Sequence, residues 1–397
     1  MIRGLSKIFT VFRRSDHFLV LEILNHMARA ISFRVNFDKK QVEVLKVAYV
    51  TLAPGESGVP FDAVKKVLKN FGKLRGYKII LSLNPILATT VHSGVLLLRD
   101  KPRQPIDEAD LDNRIAQGIW RLFDTSRSRA AAKMQVGDLD VLLTDVKVKK
   151  VRLDGHAVVN PLEFPAKTIE INFIQTFNGR NFIGQIGKLM PADQIVLMAE
   201  GGVLEAEVLA KITDEKRFLL IDLFKERSEL FLSDGGTIAY LATFSWGREN
   251  LIQALSDFFA VKEGVAQEIL ELYLIRQASQ NLLRKLEKIL SVEFGRLVMR
   301  LEAPLKKYNL SLVYLFSFFG LPEFVFGQNF KNQFLSRASI LPVNDEIIID
   351  KSGFEIKNVS GKRNLFPALA ALLGFYFMPQ NDRINTIAKR HARWLVS

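Results

Sequence analysis

GDLDVLLTDVKVKKVRLDGHAVVNPLEFPAKTIEI, residues 137–171, decides the fold. Val146, Val148, Val151 and Leu153 alternate along it, Asp154-Gly155 supplies turn chemistry, and Val158 and Val159 resume the apolar run, which predicts a β-hairpin. Upstream, RQPIDEADLDNRI (103–115) opens a helix predicted over Ile106 to Met134. There Asp107 is placed to cap, and Asp110 three residues on complements the helix dipole. One helix plus a small sheet therefore form a unit at about residues 99–173, entered through the boundary KPRQP (101–105).

Outward from that unit the chain has the same grammar on both sides. FLVLEILNHMARAISFRVN (18–36) and QVEVLKVAYVTL (41–52) are β-rich runs joined by an Asp38-Lys39-Lys40 turn. FDAVKKVLKNFGKL (61–74) spaces Phe61, Val64, Val67, Leu68 and Phe71 as a helix face, and YKIILSLNP (77–85) and VHSGVLLLRD (91–100) follow as strands. On the C-terminal side, RFLLIDLFKERSELFLS (217–233) is a strand turning into another strand, followed by a mostly helical stretch. SLVYLFSFF (311–319) is a further strand, and FPALAALLGFYF (366–377) a helix rich in small residues. The pattern predicts two related α/β halves, 17–205 and 206–378, each with an insert, the second helical at about 247–307. A basic arm (1–16) and a basic tail (379–397) flank them.

Composition narrows the chemistry. With 397 residues, 48% of them hydrophobic, the chain can build two or three cores. The absence of cysteine excludes disulfides and thiolate catalysis, and five scattered histidines predict no metal cluster. A net charge of +13 calls for an acidic partner. Because the acid-free excess lies at the two ends and no nucleic-acid-binding signature occurs, an anionic membrane surface is favoured over nucleic acid. The longest apolar run, Phe366 to Met378, is too short to span a bilayer, which needs about 20 residues. The expected address is the cytoplasm, peripheral on the inner face of the membrane.

The order of these elements resembles the actin, Hsp70 and FtsA superfamily, and Asp154, Gly155, Asn160 and Pro161 match a hairpin that recurs in the insert of FtsA and PilM. The resemblance covers most of the chain. It implies an α/β, actin/Hsp70-like ATPase fold of two halves with an SHS2-type α+β subdomain inserted in the first. It also implies three nucleotide loops between the halves. The first, normally Asp-Ile-Gly-Ser/Thr, is here Glu22-Ile23-Leu24-Asn25. The second, normally Asp-Ile-Gly-Gly-Gly-Thr-Thr, is Asp222-Leu223-Phe224-Lys225-Glu226-Arg227-Ser228. The third keeps one glycine, Gly320, in Phe316-Ser317-Phe318-Phe319-Gly320-Leu321-Pro322. Glycine loops bind phosphate because bare backbone N–H groups line an anion cavity, and Leu, Phe and Glu remove that geometry. Glu22, Asn25, Asp222 and Gly320 are thus the remnant nucleotide-site positions. The expectation is a pseudo-ATPase with no cofactor, ATP with magnesium being the sole candidate. The alternative is a loop misplaced by a few residues, with Gly235-Gly236 as the missing glycines.

The ends carry a separate expectation. Ile8, Phe9 and Phe12 in the arm, and Ile384, Ile387, Arg390, Arg393, Trp394 and Leu395 in the tail, have the placement of basic amphipathic helices that lie in a membrane interface. An ordinary docked terminal helix satisfies the same tail pattern. The resemblance implies an adaptor joining the membrane to a cell-division machine, through a partner such as an FtsZ tail, or to type IV pilus assembly through a PilN-like peptide. Self-association or an active, polymerising ATP-binding homologue are the other forms it allows.

Overall fold

Leu19, Leu21 and Ile23 point to one side of their strand and Phe18 and Val20 to the other, and all five are fully buried. A strand with two buried faces belongs to a sheet covered on both sides, and this strand centres the first half. The computed structural model describes residues 15–24, 27–51, 61–330, 338–362, 364–378 and 382–393. In the first half, β1 (Asp16–Ile23), β2 (Met27–Asn36) and β3 (Gln41–Thr51) form an antiparallel meander. Helix α1 (Phe61–Lys69) precedes β4 (Lys78–Leu83), which pairs parallel to β1.

The insert follows. β5 (Ala88–Leu98), α2 (Glu108–Met134), β6 (Val141–Leu153), β7 (His156–Val158) and β8 (Thr168–Gly179) give a four-stranded sheet ordered β5-β8-β6-β7. At the predicted hairpin, Asp154 and Gly155 take φ of 48° and 86°, as a two-residue turn between right-twisted strands requires. The unit is larger than the expected 99–173, because β5 pairs with β8 from Ala88↔Asn178 to Leu98↔Thr168 and so belongs to the insert. Helix α3 (Arg180–Leu189) and β9 (Ile195–Glu200) return the chain to the first sheet, where β9 pairs parallel to β4.

Helix α4 (Gly201–Ile212) then leads into the second half, so the expected boundary at 205/206 falls inside a helix. β10 (Arg217–Leu223), β11 (Ser228–Asp234) and β12 (Thr237–Phe244) repeat the meander. Three helices, α5 (Arg248–Phe259), α6 (Glu263–Leu274) and α7 (Gln280–Tyr308), make up the helical stretch. β13 (Leu312–Ser317) pairs parallel to β10, and β14 (Ser339–Val343) parallel to β13. The second sheet, β12-β11-β10-β13-β14, thus repeats the order β3-β2-β1-β4-β9 of the first. The chain ends with α8 (Asp345–Lys351), β15 (Glu355–Lys357) added beside β3, α9 (Phe366–Phe377) and α10 (Asp382–Arg393).

The inner faces of both sheets share one core. Phe18, Val20 and Ile31 from the first and Phe218, Leu220 and Phe231 from the second pack on α4 and α9. The close fit shows at Gly202, where a Cβ would stand 2.1 Å from the Phe231 ring. The outer faces are covered by α1 and α3 on the first half and by α5 to α7 on the second.

Candidate functional site

The three loops meet between the halves, at the ends of β1, β10 and β13. Glu22, last but one in β1, is 1% exposed, and Arg29, third in β2, is 4% exposed. Antiparallel register sets them opposite each other, and Arg29 binds Glu22 through both Nε and Nη2, the latter at 2.9 Å from Oε1. Its remaining nitrogen, Nη1, donates to the carbonyl of Asn364 at 2.7 Å, and its guanidinium lies 5.4 Å from the centre of the Phe318 ring. Phe318, from the third loop, stacks on Phe224 of the second at 5.2 Å and 23°, while Asn364 Nδ2 donates to the Phe318 carbonyl. One side chain from the first half is therefore bonded across to the second, with two aromatic rings beneath it.

Four backbone donors of the loops are also engaged. Leu24 N–H bonds the Met27 carbonyl, Phe224 N–H the Arg227 carbonyl, Phe318 N–H the Leu223 carbonyl and Phe319 N–H the Ser317 hydroxyl. The first turn of α5 closes the second loop from outside, with Arg248 and Glu249 N–H groups donating to the Phe224 and Lys225 carbonyls. Gly247 permits this approach, since a Cβ there would lie 2.5 Å from the Phe224 oxygen. A triphosphate needs free N–H groups and space, and the four loop donors are already bonded within the protein. Gly235-Gly236 form the β11–β12 turn, at φ of 60° and 92°, away from the second loop. Gly320 packs on Leu274, and Asn25 lies outside the described residues.

Beside Asp222 is a group of acids that sequence reasoning missed. Glu205 on α4 and Asp222 on β10 are buried side by side, and burial together with nearby carboxylates raises both well above the ordinary range. Glu229 on β11 is pushed up to about 7 by burial, partly offset by Arg227 at 2.8 Å. Glu200, raised by burial, meets Lys133 at 2.5 Å, and burial lowers that lysine. Such shifts mark a seam whose burial favours the protonated form of its carboxyls. Among the described residues no set of three or more His, Asp or Glu converges as metal ligands.

A second concavity lies between the insert and the first half. It has a volume of about 440 Å³ and is lined by Leu143 to Val146 of β6, Ile195 to Met198 of β9, and Ile183 and Ile186 of α3. Both strands face it with open edges: among the described residues no strand pairs with the outer side of β9, nor with β6 ahead of Val151. The outer wall is α10, which contributes Lys389 and Ala392.

That placement corrects the expectation for the tail. Ile384, Ala388 and Ala392 are buried in the core of the insert and Ile387 packs against it, so the apolar face of α10 is covered by protein. Arg390 pairs with Asp112 of α2, and Arg383 with Glu108. Arg393 ends the helix, and Trp394, Leu395, Ile8, Phe9 and Phe12 lie outside the described residues. No described helix is long and apolar enough to cross a membrane.

The fold is that of the actin-like ATPases. A structure titled PilM-PilN type IV pilus biogenesis complex is similar over 94% of this chain and 98% of that one, with a TM-score of 0.55 at 14% identity. An archaeal actin homologue, Ta0583, is similar over 89% and 98% at 11% identity and a TM-score of 0.39. A Bacteroides thetaiotaomicron protein with actin-like ATPase fold is similar over 91% and 96% at 8% identity and 0.42. No family model and no curated protein matches the sequence.

Proposed function

We propose that this chain is a PilM-like adaptor: an actin-fold protein that has given up nucleotide and recruits a PilN-like partner by taking an extended apolar segment into the groove between the insert and the first half. The observation that carries the reading is that β9 and the part of β6 ahead of Val151 face one another across an apolar cavity, with edges to which, among the described residues, no strand is paired. Unpaired strand edges are templates for an added strand, with main-chain hydrogen bonds giving affinity and alternate side chains giving specificity. The fold shared with a protein solved together with PilN supports the same reading. In the nucleotide cleft, Arg29 and Phe318 occupy the space between the halves, which supports a pseudo-ATPase. Type IV pilus assembly is thus preferred to cell division, and any membrane contact is assigned to the basic arm rather than to the docked face of α10.

The test is fluorescence anisotropy with overlapping labelled peptides tiled across a PilN sequence. One peptide is expected to bind, and Leu197→Asp, which puts a carboxylate on the apolar wall, is expected to weaken it at least about tenfold, since an unpaired buried charge costs well over 1.4 kcal/mol. Binding that survives Leu197→Asp in a folded protein places the partner elsewhere.

A further inference from the structure

Helix α10 touches the groove in a way that the rest of its wall does not. The β6 edge carries a backbone N–H at Val148, just beyond the groove-lining residues, and the side chain of Asn385 on α10 accepts it at 2.8 Å. An amide side chain thus stands where the carbonyl of a paired strand would otherwise be. The helix that supplies it has a short apolar face. Its buried side chains are Ile384 and two alanines, Ala388 and Ala392, so the apolar area it covers is small. Among its ion pairs to α2, those of Arg390 with Asp112 and Arg383 with Glu108 use exposed arginines, and His391 lies 3.2 Å from the half-buried Asp112; pairs made by exposed side chains contribute little. Its position is also charged: Lys389 lines the groove, and the buried Lys147 of β6, 3.6 Å from Asp145, has its pKa lowered by burial and, to a lesser degree, by the Lys389 charge nearby. A segment with few buried contacts belongs to the part of a fold that opens first.

We propose that α10 is a displaceable wall of the groove, competing with an incoming strand for the edge of β6 and so holding the groove closed until it is undocked. This rests on the groove being the partner site. If the open form is a minor state, apparent affinity is reduced by its fraction, so a groove open in about a tenth of molecules binds about tenfold more weakly than one always open.

The absence of cysteine makes the test direct. Met198→Cys places a single thiol on the β9 wall of the groove, and its rate of alkylation by N-ethylmaleimide reports access. The full chain carrying this change is compared with the same chain bearing Ala388→Asp, which buries a carboxylate under α10, and with the milder Asn385→Ala, which frees the Val148 N–H. In the Ala388→Asp chain, where the Asn385 acceptor is intact, hydrogen exchange at Val148 reports undocking, and the melting curve reports the integrity of the rest; Asn385→Ala is read by alkylation and peptide binding alone. The expected result is loss of protection at Val148 in Ala388→Asp, alkylation about tenfold faster, and binding of the PilN-derived peptide tighter by a similar factor. Loss of protection at Val148 in Ala388→Asp with unchanged alkylation overturns the proposal, as does protection retained in that chain while it stays folded. Faster alkylation with no peptide bound by any form leaves the wall displaceable and removes the groove as the partner site.

Discussion

Arg29 bridges the two halves at the cleft between them. Guanidinium is planar, always charged and presents donors in a rigid fork, and here that fork is satisfied by the Glu22 carboxylate and the Asn364 carbonyl from opposite halves. Removing one member of a buried pair leaves an unpaired charge, which costs about 3–5 kcal/mol, whereas replacing both with apolar groups is often neutral. Arg29→Ala is therefore expected to lower stability in urea by that amount, and Glu22→Leu with Arg29→Met to recover most of it. If the single variant loses less than about 1 kcal/mol, the pair is not what ties the halves at this point. The sequence offered a signal that went unread. An arginine between two alanines in an otherwise apolar strand, MARAISF, lacks the alternation of a solvated face, and its partner lies one hairpin away at Glu22. Glu22 itself was singled out only as a remnant of a lost function, because a charge partner is a matter of register and register was not available.

Among elements, α4 and the β10–β11 pair form a seam whose protonation is part of its stability. Glu229, Glu205 and Asp222 are raised by burial. Glu229 goes from 4.5 to about 7, so between those values the folded chain holds a proton that the unfolded chain has released. Stability is then lost as pH rises through this window, by up to about 3 kcal/mol for this group. His92, pushed down to about 4 by burial, acts oppositely, its contribution being lost as pH falls from about 6.5. Comparing wild type with Glu229→Gln isolates the carboxyl. The melting temperature of the variant relative to wild type is expected to rise from pH 5 to pH 7.5, and a constant difference argues against a neutral Glu229. Strands, hairpins and long helices were legible because period-two and helical spacing are local: β10, β11 and α2 begin and end close to their predicted positions. The insert boundary was not legible, since β5 is assigned by pairing with β8, some 70 residues on, and nothing local in ATTVHSGVLLL announces its partner. Nor was the tail settled, because one amphipathic pattern serves equally for a bilayer and for a protein core.

For the whole molecule, two sheets with one strand order, joined through α4 and α9 over a common core, make the actin-like architecture. Glycine-poor loops at its centre were visible in the sequence; the side chains that cross that centre were not. The working surface proposed for this protein is the groove beside the insert, while Arg29 and Phe318 occupy the cleft between the halves. Whether that cleft takes nucleotide is tested by the melting temperature of the full chain titrated with ATP and magnesium to millimolar concentration. A ligand at 100 times its dissociation constant adds about 2.7 kcal/mol to stability, a shift easily seen. No shift is expected, whereas a rise with nucleotide that disappears in Asp222→Ala contradicts a closed cleft.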